Sequence, residues 1–207
     1  TPLLTAVPDT KWVWNNEKNV FERETEGHSA SVISACWSPD GTKICTAGTD
    51  CSVRVWDASV GKCINILRGH KNWIGCVSVS PDGKGIASGS SDRTIRVFLT
   101  NNPIDIVASK ETQDDAVCCL KGHLGNVTDV VWSPVGRARI CSSSTDWSVR
   151  VWNLENVSCT HVLDLHKGTV SSVSWSFDGK KIVSGSRDGT VRLWRVYKRK
   201  HVCLEIL

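Results

Sequence analysis

The stretch that decides the fold is GHSASVISACWSPDGTKICTAGTDCSVRVWD, residues 27–57. Its order of His, Asp and aromatic residue recurs three more times, with Gly before the His in all units but the last. The His-to-Asp steps are 22, 22, 23 and 22 residues, and the Asp-to-aromatic step is always 6. The units run from His28 to Asp50 and Trp56, from His70 to Asp92 and Phe98, from His123 to Asp146 and Trp152, and from His166 to Asp188 and Trp194. A repeat with a period of about 40 residues predicts a radial array of β-sheets.

Each unit predicts a small antiparallel sheet. After the Gly-His pair, an apolar run leads into a tight turn such as Pro39-Asp40-Gly41, and two further strands flank the turn that carries the Asp. Turns of this composition join β-hairpins. A fourth, shorter strand is predicted within residues 63–67, 117–120, 158–163 and 201–207, so the fold class is all-β.

These units resemble the WD-repeat β-propeller family over essentially all 207 residues. Gly27-His28 and its copies match the Gly-His of the family, and Trp56-Asp57 matches its Trp-Asp, whereas Leu165-His166 and Phe98-Leu99 depart from the pattern. The resemblance implies a propeller segment of four four-stranded antiparallel blades plus a partial one. Residues 1–26 would hold the last strands of a preceding blade, and residues 27–207 would hold four WD-type repeats of one propeller.

The resemblance also implies a hydrogen-bonded set in each blade, made of the His, a strand hydroxyl, the turn Asp and the Trp. The matching residues are His28, Thr46, Asp50 and Trp56; His70, Ser88 and Asp92; His123, Ser142, Asp146 and Trp152; and His166, Ser184, Asp188 and Trp194. Phe98 has no N–H group, so the set of the second blade is expected to be incomplete.

The length of the chain predicts an open arc of blades. The family that it resembles closes its ring with six to eight blades, whereas 207 residues hold four blades and a partial one. An open arc exposes two apolar blade faces, which is a liability for a soluble chain. We therefore expect the missing blades to come from the rest of a longer chain or from another chain.

The composition predicts an ordinary soluble domain, with 40% hydrophobic and 22% charged residues. No run of eighteen apolar residues could span a bilayer, so we expect no membrane association. The ten cysteines fall mostly at repeat-equivalent strand positions, which favours buried free thiols and a cytoplasmic location, with the nucleus as the alternative. No Cys-x-x-Cys pair or nucleotide-binding loop occurs, and we expect no metal and no cofactor.

Catalysis is not expected, although each unit contains the His, hydroxyl and Asp of a nucleophilic triad. Four copies of a triad make no catalytic sense, and no Gly-x-Ser-x-Gly elbow is present. We interpret the repeated groups as structural.

Strand polarity predicts one binding surface. Because the first two strands of a unit are antiparallel, the Gly-His segment and the Asp-bearing turn lie at the same end of every blade, here called the upper end. The repeat does not explain Trp12, Trp73 or Trp147, and the last two fall at this end, where aromatic residues are typical interface anchors. In the family that the chain resembles, partners dock on this face; the matching positions, together with Trp147, are Ser31, Ile33, Thr49, Trp73, Gly75, Ser91, Asn126, Thr128, Thr145, Thr169, Ser171 and Arg187.

Three other features are expected to be structural or solvated. Arg54, Arg96, Arg150 and Arg192 recur at one strand position and are predicted to pack their stems and extend their heads to the rim. Solvated loops are predicted for the insertion at residues 99–116 and for the cluster Lys198-Arg199-Lys200.

The sequence therefore predicts a non-catalytic protein-interaction scaffold that binds partner proteins on its upper end, within a complex. One alternative is a nucleic-acid-associated propeller, in which the tryptophans stack bases and Arg187 contacts phosphate. Another is the sensor or regulatory propeller of a larger multidomain protein.

Overall fold

The computed structural model describes residues 11–15, 20–24, 27–100, 115–136, 138–196 and 201–207. Within these ranges the secondary structure is entirely β-strand and turn, which confirms the all-β prediction. The strands are β1 (Lys11–Asn15), β2 (Val20–Glu24), β3 (Val32–Trp37), β4 (Lys43–Gly48), β5 (Val53–Asp57), β6 (Cys63–Leu67), β7 (Ile74–Val79), β8 (Gly85–Ser90), β9 (Thr94–Leu99), β10 (Cys118–Lys121), β11 (Val127–Trp132), β12 (Arg139–Ser144), β13 (Val149–Asn153), β14 (Ser158–Leu163), β15 (Val170–Trp175), β16 (Lys181–Ser186), β17 (Val191–Val196) and β18 (His201–Ile206).

Sixteen of these strands form four antiparallel sheets of four, each in simple up-and-down order. We call β3–β6 the first blade, β7–β10 the second, β11–β14 the third and β15–β18 the fourth. The first strand of every blade has a register shift at the same place, between Val32 and Ser34 in the first blade. The predicted blades are thus confirmed, and they share a register shift that the sequence did not predict.

The hairpin of β1 and β2 forms a separate two-stranded sheet. Its assignment to the end of a preceding blade, and with it the boundary at residue 26, stays a prediction. Most of the insertion, the cluster at residues 198–200 and the side chain of Trp12 lie outside the described residues.

The apolar core lies between blades. Cys45, Val53 and Val55 on one face of the first blade pack against Ile74 and Ile86 on the facing side of the second blade. The same arrangement recurs between the second and third blades and between the third and fourth. Since the second and third blades are covered on both sides by their neighbours, both faces of their strands carry apolar residues.

The large aromatic residue at the end of a first strand anchors one blade on the preceding one. The Trp132 indole donates a hydrogen bond to the Ser78 carbonyl, 3.1 Å away. Its ring lies against Gly85, where a Cβ would come within 2.8 Å of the ring. Trp175 likewise stacks on the Arg139 guanidinium, 5.3 Å from the ring centroid.

Two blade faces have no such cover among the described residues. Trp37, the counterpart of Trp132 and Trp175, is 61% exposed, whereas those two are 5% and 8% exposed. At the other end of the array, Val191 and Leu207 of the fourth blade are 38% and 69% exposed, whereas their third-blade counterparts Val149 and Leu163 are fully buried. The described blades therefore form an open arc with an apolar face at each end.

Candidate functional site

A chain of hydrogen bonds joins the upper end of each blade to its middle strands. In the third blade, His123 Nδ1 lies 2.8 Å from Asp146 Oδ2, and His123 Nε2 lies 2.8 Å from Ser142 Oγ. The Trp152 indole then donates to the same hydroxyl, 2.9 Å away. The structure brings together the corresponding groups of the first and fourth blades in the same way.

The partners fix where the protons lie. A carboxylate only accepts hydrogen bonds, so His123 Nδ1–H donates to Asp146. Nε2 is then the acceptor of a neutral imidazole, and Ser142 donates to it while accepting the indole N–H of Trp152. Burial lowers the pKa of His123, which is consistent with a neutral ring.

The second blade holds the shortened set that its sequence predicts. His70 contacts Asp92 and Ser88 at 2.8 Å each. Phe98, which is buried, occupies the place of the indole, and the described residues supply no further hydrogen-bond partner to the Ser88 hydroxyl. This blade is therefore a natural comparison for the complete sets.

Each turn carboxylate is saturated by the blade itself. Asp146 accepts hydrogen bonds from His123 Nδ1, from the Leu124 amide and from both the amide and the hydroxyl of Ser148. Burial alone would raise the pKa of Asp146, but these hydrogen bonds outweigh it and hold the pKa well below its usual range. The charge of this residue serves the fold and has little capacity left for a ligand.

The predicted docking residues pair up across the upper end of every blade. In each pair the backbone amide of the residue before the turn Asp donates to the carbonyl of the residue before the first strand. The pairs are Thr49 with Ser31 at 2.9 Å, Ser91 with Trp73 at 3.0 Å, Thr145 with Asn126 at 2.9 Å and Arg187 with Thr169 at 2.8 Å. Residues predicted from separate positions of the repeat thus lie side by side on a rigid backbone.

Two tryptophans project from this end. Trp73 is 44% exposed and Trp147 is 53% exposed. Trp147 also has a φ of 72°, in the left-handed region where its fourth-blade counterpart is Gly189. An L-residue in this region costs about 1–2 kcal/mol.

Thr128 and Thr145, both predicted to contact a partner, are used by the fold. The Thr128 hydroxyl donates to the Val170 carbonyl of the fourth blade, 2.6 Å away, and lies 2.9 Å from Ser143 Oγ. The Thr145 hydroxyl accepts the Asn126 amide at 2.8 Å. Of the other predicted positions, Ser31, Ile33, Ser171 and Arg187 are exposed, whereas Thr49, Gly75, Ser91, Asn126 and Thr169 are half-buried.

The prediction for the repeated arginines is wrong. Arg54, Arg96 and Arg192 are buried, and the Nε of Arg150 is also enclosed. Because their Nε atoms are enclosed, the guanidinium groups do not extend to the solvated rim. Three of the guanidinium groups donate weakly to a cysteine sulfur on the fourth strand, at 3.9 Å.

The residue after each His was not predicted to matter. Its amide donates to the turn carboxylate, which places its side chain over the upper end; these residues are Ser29, Lys71, Leu124 and Lys167. The only signal in the sequence was the fixed position after His, which is occupied by Ser, Leu and, in two units, Lys.

No group of three His, Cys, Asp or Glu side chains in the described ranges is arranged to hold a metal ion. Within those ranges, no helix is long and apolar enough to cross a membrane.

Comparison with known proteins agrees with this geometry. Four stretches, residues 19–57, 61–98, 115–153 and 157–195, match the family model described as WD domain, G-beta repeat. The guanine nucleotide-binding protein subunit beta-2 of Nicotiana tabacum is 30% identical over 178 residues, which cover 83% of this chain and 46% of the relative. The nuclear distribution protein nudF of Aspergillus niger is 27% identical over 205 residues, covering 98% of this chain and 43% of the relative.

A third relative, the periodic tryptophan protein 2 of Arabidopsis thaliana, is 25% identical over 216 residues, covering 88% of this chain and 24% of the relative. The chain thus spans less than half the length of each of these relatives. The second, third and fourth family matches begin shortly before β6, β10 and β14, the fourth strands of the preceding blades, and the first begins just before β2. With four matches in register over four observed blades, the chain belongs to the WD40 family of G-beta repeat domains.

Proposed function

We propose that this chain is a non-catalytic protein-interaction scaffold that binds partner proteins on its upper end. The observation that carries the proposal is the exposure of Trp73 and Trp147 there, on loops held by backbone hydrogen bonds. The same positions carry small or polar residues in most of the other blades, so the fold itself does not require an indole ring. Exposed aromatic residues on a rigid frame are typical anchors of protein interfaces.

The backbone conformation of Trp147 belongs to the repeat. Cys51 and Arg93 have a left-handed φ of 62° and 69° at the same turn position, and the fourth blade has Gly189 there. What supports binding is therefore the exposed indole that the third blade carries at this position.

The geometry of the repeated His, Ser and Asp groups supports a non-catalytic role. Ser142 is fully buried, donates to His123 and accepts the Trp152 indole, so it has no free approach to a substrate. A nucleophile must be exposed beside an oxyanion hole, and a general base must be free to take up a proton. The hydroxyls of the second and fourth blades, Ser88 and Ser184, are similarly buried.

We also propose that the chain works inside a larger assembly, with further blades covering its two open faces. These blades would come from the rest of a longer chain or from another chain, and the greater length of the relatives supports the first source. The name of the tobacco relative describes it as a subunit, which supports a role within a complex. A location in the cytoplasm or nucleus fits the ten free thiols, and subcellular fractionation tests it.

Matched aromatic substitutions test the docking surface. Trp73→Ala and Trp147→Ala should each release partner proteins that copurify with the unmodified protein, measured by quantitative mass spectrometry. Phe177→Ala is the control, because Phe177 is 94% exposed in a turn at the opposite, lower end. The melting temperature should change little in all three variants.

Two results would contradict this proposal. If Phe177→Ala released the partners and the tryptophan variants retained them, the binding surface would be at the lower end. If the chain alone were monomeric, unfolded cooperatively and bound no dye specific for exposed apolar surface, the idea that further blades cover its open faces would be wrong.

A further inference from the structure

Two cationic side chains flank a turn carboxylate in the second blade. The Lys71 amide donates to Asp92 Oδ2 at 2.9 Å, and Arg93 directly follows Asp92. The side chains of both Lys71 and Arg93 are exposed. The arrangement places two positive charges together at the upper end of this blade.

The fourth blade also carries two cationic side chains beside its turn carboxylate. The Lys167 amide donates to Asp188 Oδ2 at 2.8 Å, and Arg187 directly precedes Asp188. Both cationic side chains are again exposed. The two blades therefore share the lysine position, whereas their arginines lie on opposite sides of the turn Asp.

The carboxylates beside these cations stay ionised and offset part of the positive charge, but the side chains of Asp92 and Asp188 are only 10% and 8% exposed. Asp92 accepts hydrogen bonds from His70, from the Lys71 amide and from the amide and hydroxyl of Thr94. Burial alone would raise the pKa of Asp92, but these bonds outweigh it and hold the pKa well below its usual range. Across the part of the chain that the structure describes, no ion pair engages the side chains of Lys71, Arg93, Lys167 or Arg187.

The third blade, which lies between these two, is apolar at the positions of Lys71 and Arg93 and carries Thr145 at the position of Arg187. Leu124 takes the place of Lys71 and is 78% exposed, and Trp147 takes the place of Arg93. Consecutive blades pack directly against each other through their first strands. The upper end thus carries cationic residues on the second and fourth blades and apolar residues on the third blade between them.

The charge of the surrounding segments has the same sign. The upper-end segments of these three blades, residues 68–73, 89–94, 121–126, 144–148, 164–169 and 186–190, contain six Lys or Arg residues and four acidic residues, which are Asp164 and the three turn carboxylates, so their net charge is +2 with neutral histidines. Asp115, outside these segments, accepts the Arg68 amide at 2.8 Å. A basic surface with an apolar centre complements an acidic partner that carries a bulky apolar side chain.

From this pattern we infer that the upper end binds an acidic peptide segment of a partner protein, whose bulky apolar side chain contacts Leu124 and Trp147 and whose flanking carboxylates pair with Lys71 and Arg93 on one side and Lys167 and Arg187 on the other. This inference rests on the proposed function, because it names the chemistry of the partner at the same surface. The guanidinium groups supply bidentate contacts to carboxylates, and the ammonium groups supply point charges.

The experiment selects peptides from a random displayed library on the purified protein, and then measures the affinity of labelled copies by fluorescence anisotropy. The test variant is the double substitution Lys71→Glu with Lys167→Glu. The control is Lys84→Glu with Lys180→Glu, because both lysines are exposed in lower-end turns and their amides also donate to an aspartate. A labelled single-stranded oligonucleotide serves as a second probe.

The expected result is enrichment of peptides in which Asp or Glu flanks a bulky apolar residue. Their affinity should fall at least about tenfold in the test variant and stay unchanged in the control, because reversing two facing charges replaces attraction with repulsion. The affinity should also fall when the salt concentration rises from about 0.05 M to about 0.5 M.

Different results would contradict the acidic partner and the docking surface. Selected peptides that are uncharged or basic, yet are lost in Trp73→Ala or Trp147→Ala, would overturn the acidic partner and leave the docking surface intact. If no selected peptide depended on any upper-end residue, both proposals would be wrong. Tighter binding of the oligonucleotide, lost in the test variant, would replace the acidic peptide with nucleic acid.

Discussion

Ser142→Ala should destabilise the protein more than Ser88→Ala, although the two serines occupy equivalent positions. Both side chains are fully buried, and both hydroxyls lie 2.8 Å from the Nε2 atom of their histidine. In the third blade the Trp152 indole also donates to the hydroxyl, whereas Phe98 has no donor in the second blade. The two substitutions therefore differ by one buried N–H group.

The size of the effect follows from the number of polar groups left without a partner. Ser88→Ala leaves one, the Nε2 atom of His70, and a buried unsatisfied group costs about 1–3 kcal/mol. Ser142→Ala leaves two, the Nε2 atom of His123 and the indole N–H of Trp152, so its cost should be higher by a further ~1–3 kcal/mol.

Urea-induced unfolding measures both costs through the midpoint, provided that the slope with urea concentration stays the same. Ser184→Ala is a replicate, since Ser184 accepts the Trp194 indole at 2.8 Å and should behave like Ser142. In the background Trp152→Phe, the extra cost of Ser142→Ala should disappear. Equal costs for Ser88→Ala and Ser142→Ala would refute the role given to the indole.

The same reasoning ranks alanine substitutions of the turn aspartates by their cost in stability. Asp92 and Asp146 each accept four hydrogen bonds from equivalent groups, so the direct losses on substitution by alanine are matched. Because loss of Asp146 also frees a histidine that orders the hydroxyl and the indole, Asp146→Ala should cost more than Asp92→Ala. A reversed order in the denaturant midpoints would contradict the idea of a connected set.

Three further outcomes are expected. Acid should destabilise the protein, because the pKa of His123 is lowered in the folded state. Below about pH 6.5 the unfolded chain takes up a proton at this residue while the folded chain does not. Urea midpoints that stay constant between about pH 7 and about pH 5 would contradict this. Trp147→Gly should change the free energy of unfolding by less than about 1 kcal/mol, since relief of the left-handed backbone offsets the contacts that the ring loses. Trp132→Ala, at a buried ring, should cost about 3–5 kcal/mol. A large loss of stability in Trp147→Gly would show that the Trp147 ring is packed. Asp129→Ala should cost about 1–3 kcal/mol, because Asp129 Oδ2 accepts the Val173 amide of the fourth blade at 3.0 Å. The substitution should therefore increase amide hydrogen exchange at Val173. Unchanged exchange would count against this contact.

Much of the hydrogen-bonded framework was predictable because its parts recur at fixed spacing. His123, Ser142 and Asp146 lie within 23 residues of one another, inside one sheet whose register is set by the repeat. The absence of an indole N–H donor in the second blade was likewise predictable, because the sequence has Phe98 at that position. Local pairing of neighbouring strands carries such information directly.

The geometry of the proposed docking surface was predictable only in part. The positions of Trp73 and Arg187 followed from the repeat, but the use of the Thr128 hydroxyl by the Val170 carbonyl did not. That contact joins residues 42 apart on two different blades, and its existence depends on how closely the blades approach each other. The position after His was also overlooked, because its importance lies in the backbone amide that any residue type supplies.

The sequence by itself determined the strands, the four blades and the atoms that join each His to its Asp, because these depend on spacings within a single repeat. Only the tertiary structure decided what lies between repeats: the burial of Arg54 and Arg192, the exposure of Trp37 against its buried counterparts, and the alternation of cationic and apolar upper ends. The physical reason is that burial and the grouping of charges depend on which sheets face one another, and a residue that is equivalent in the repeat has a different neighbour at each end of an open arc.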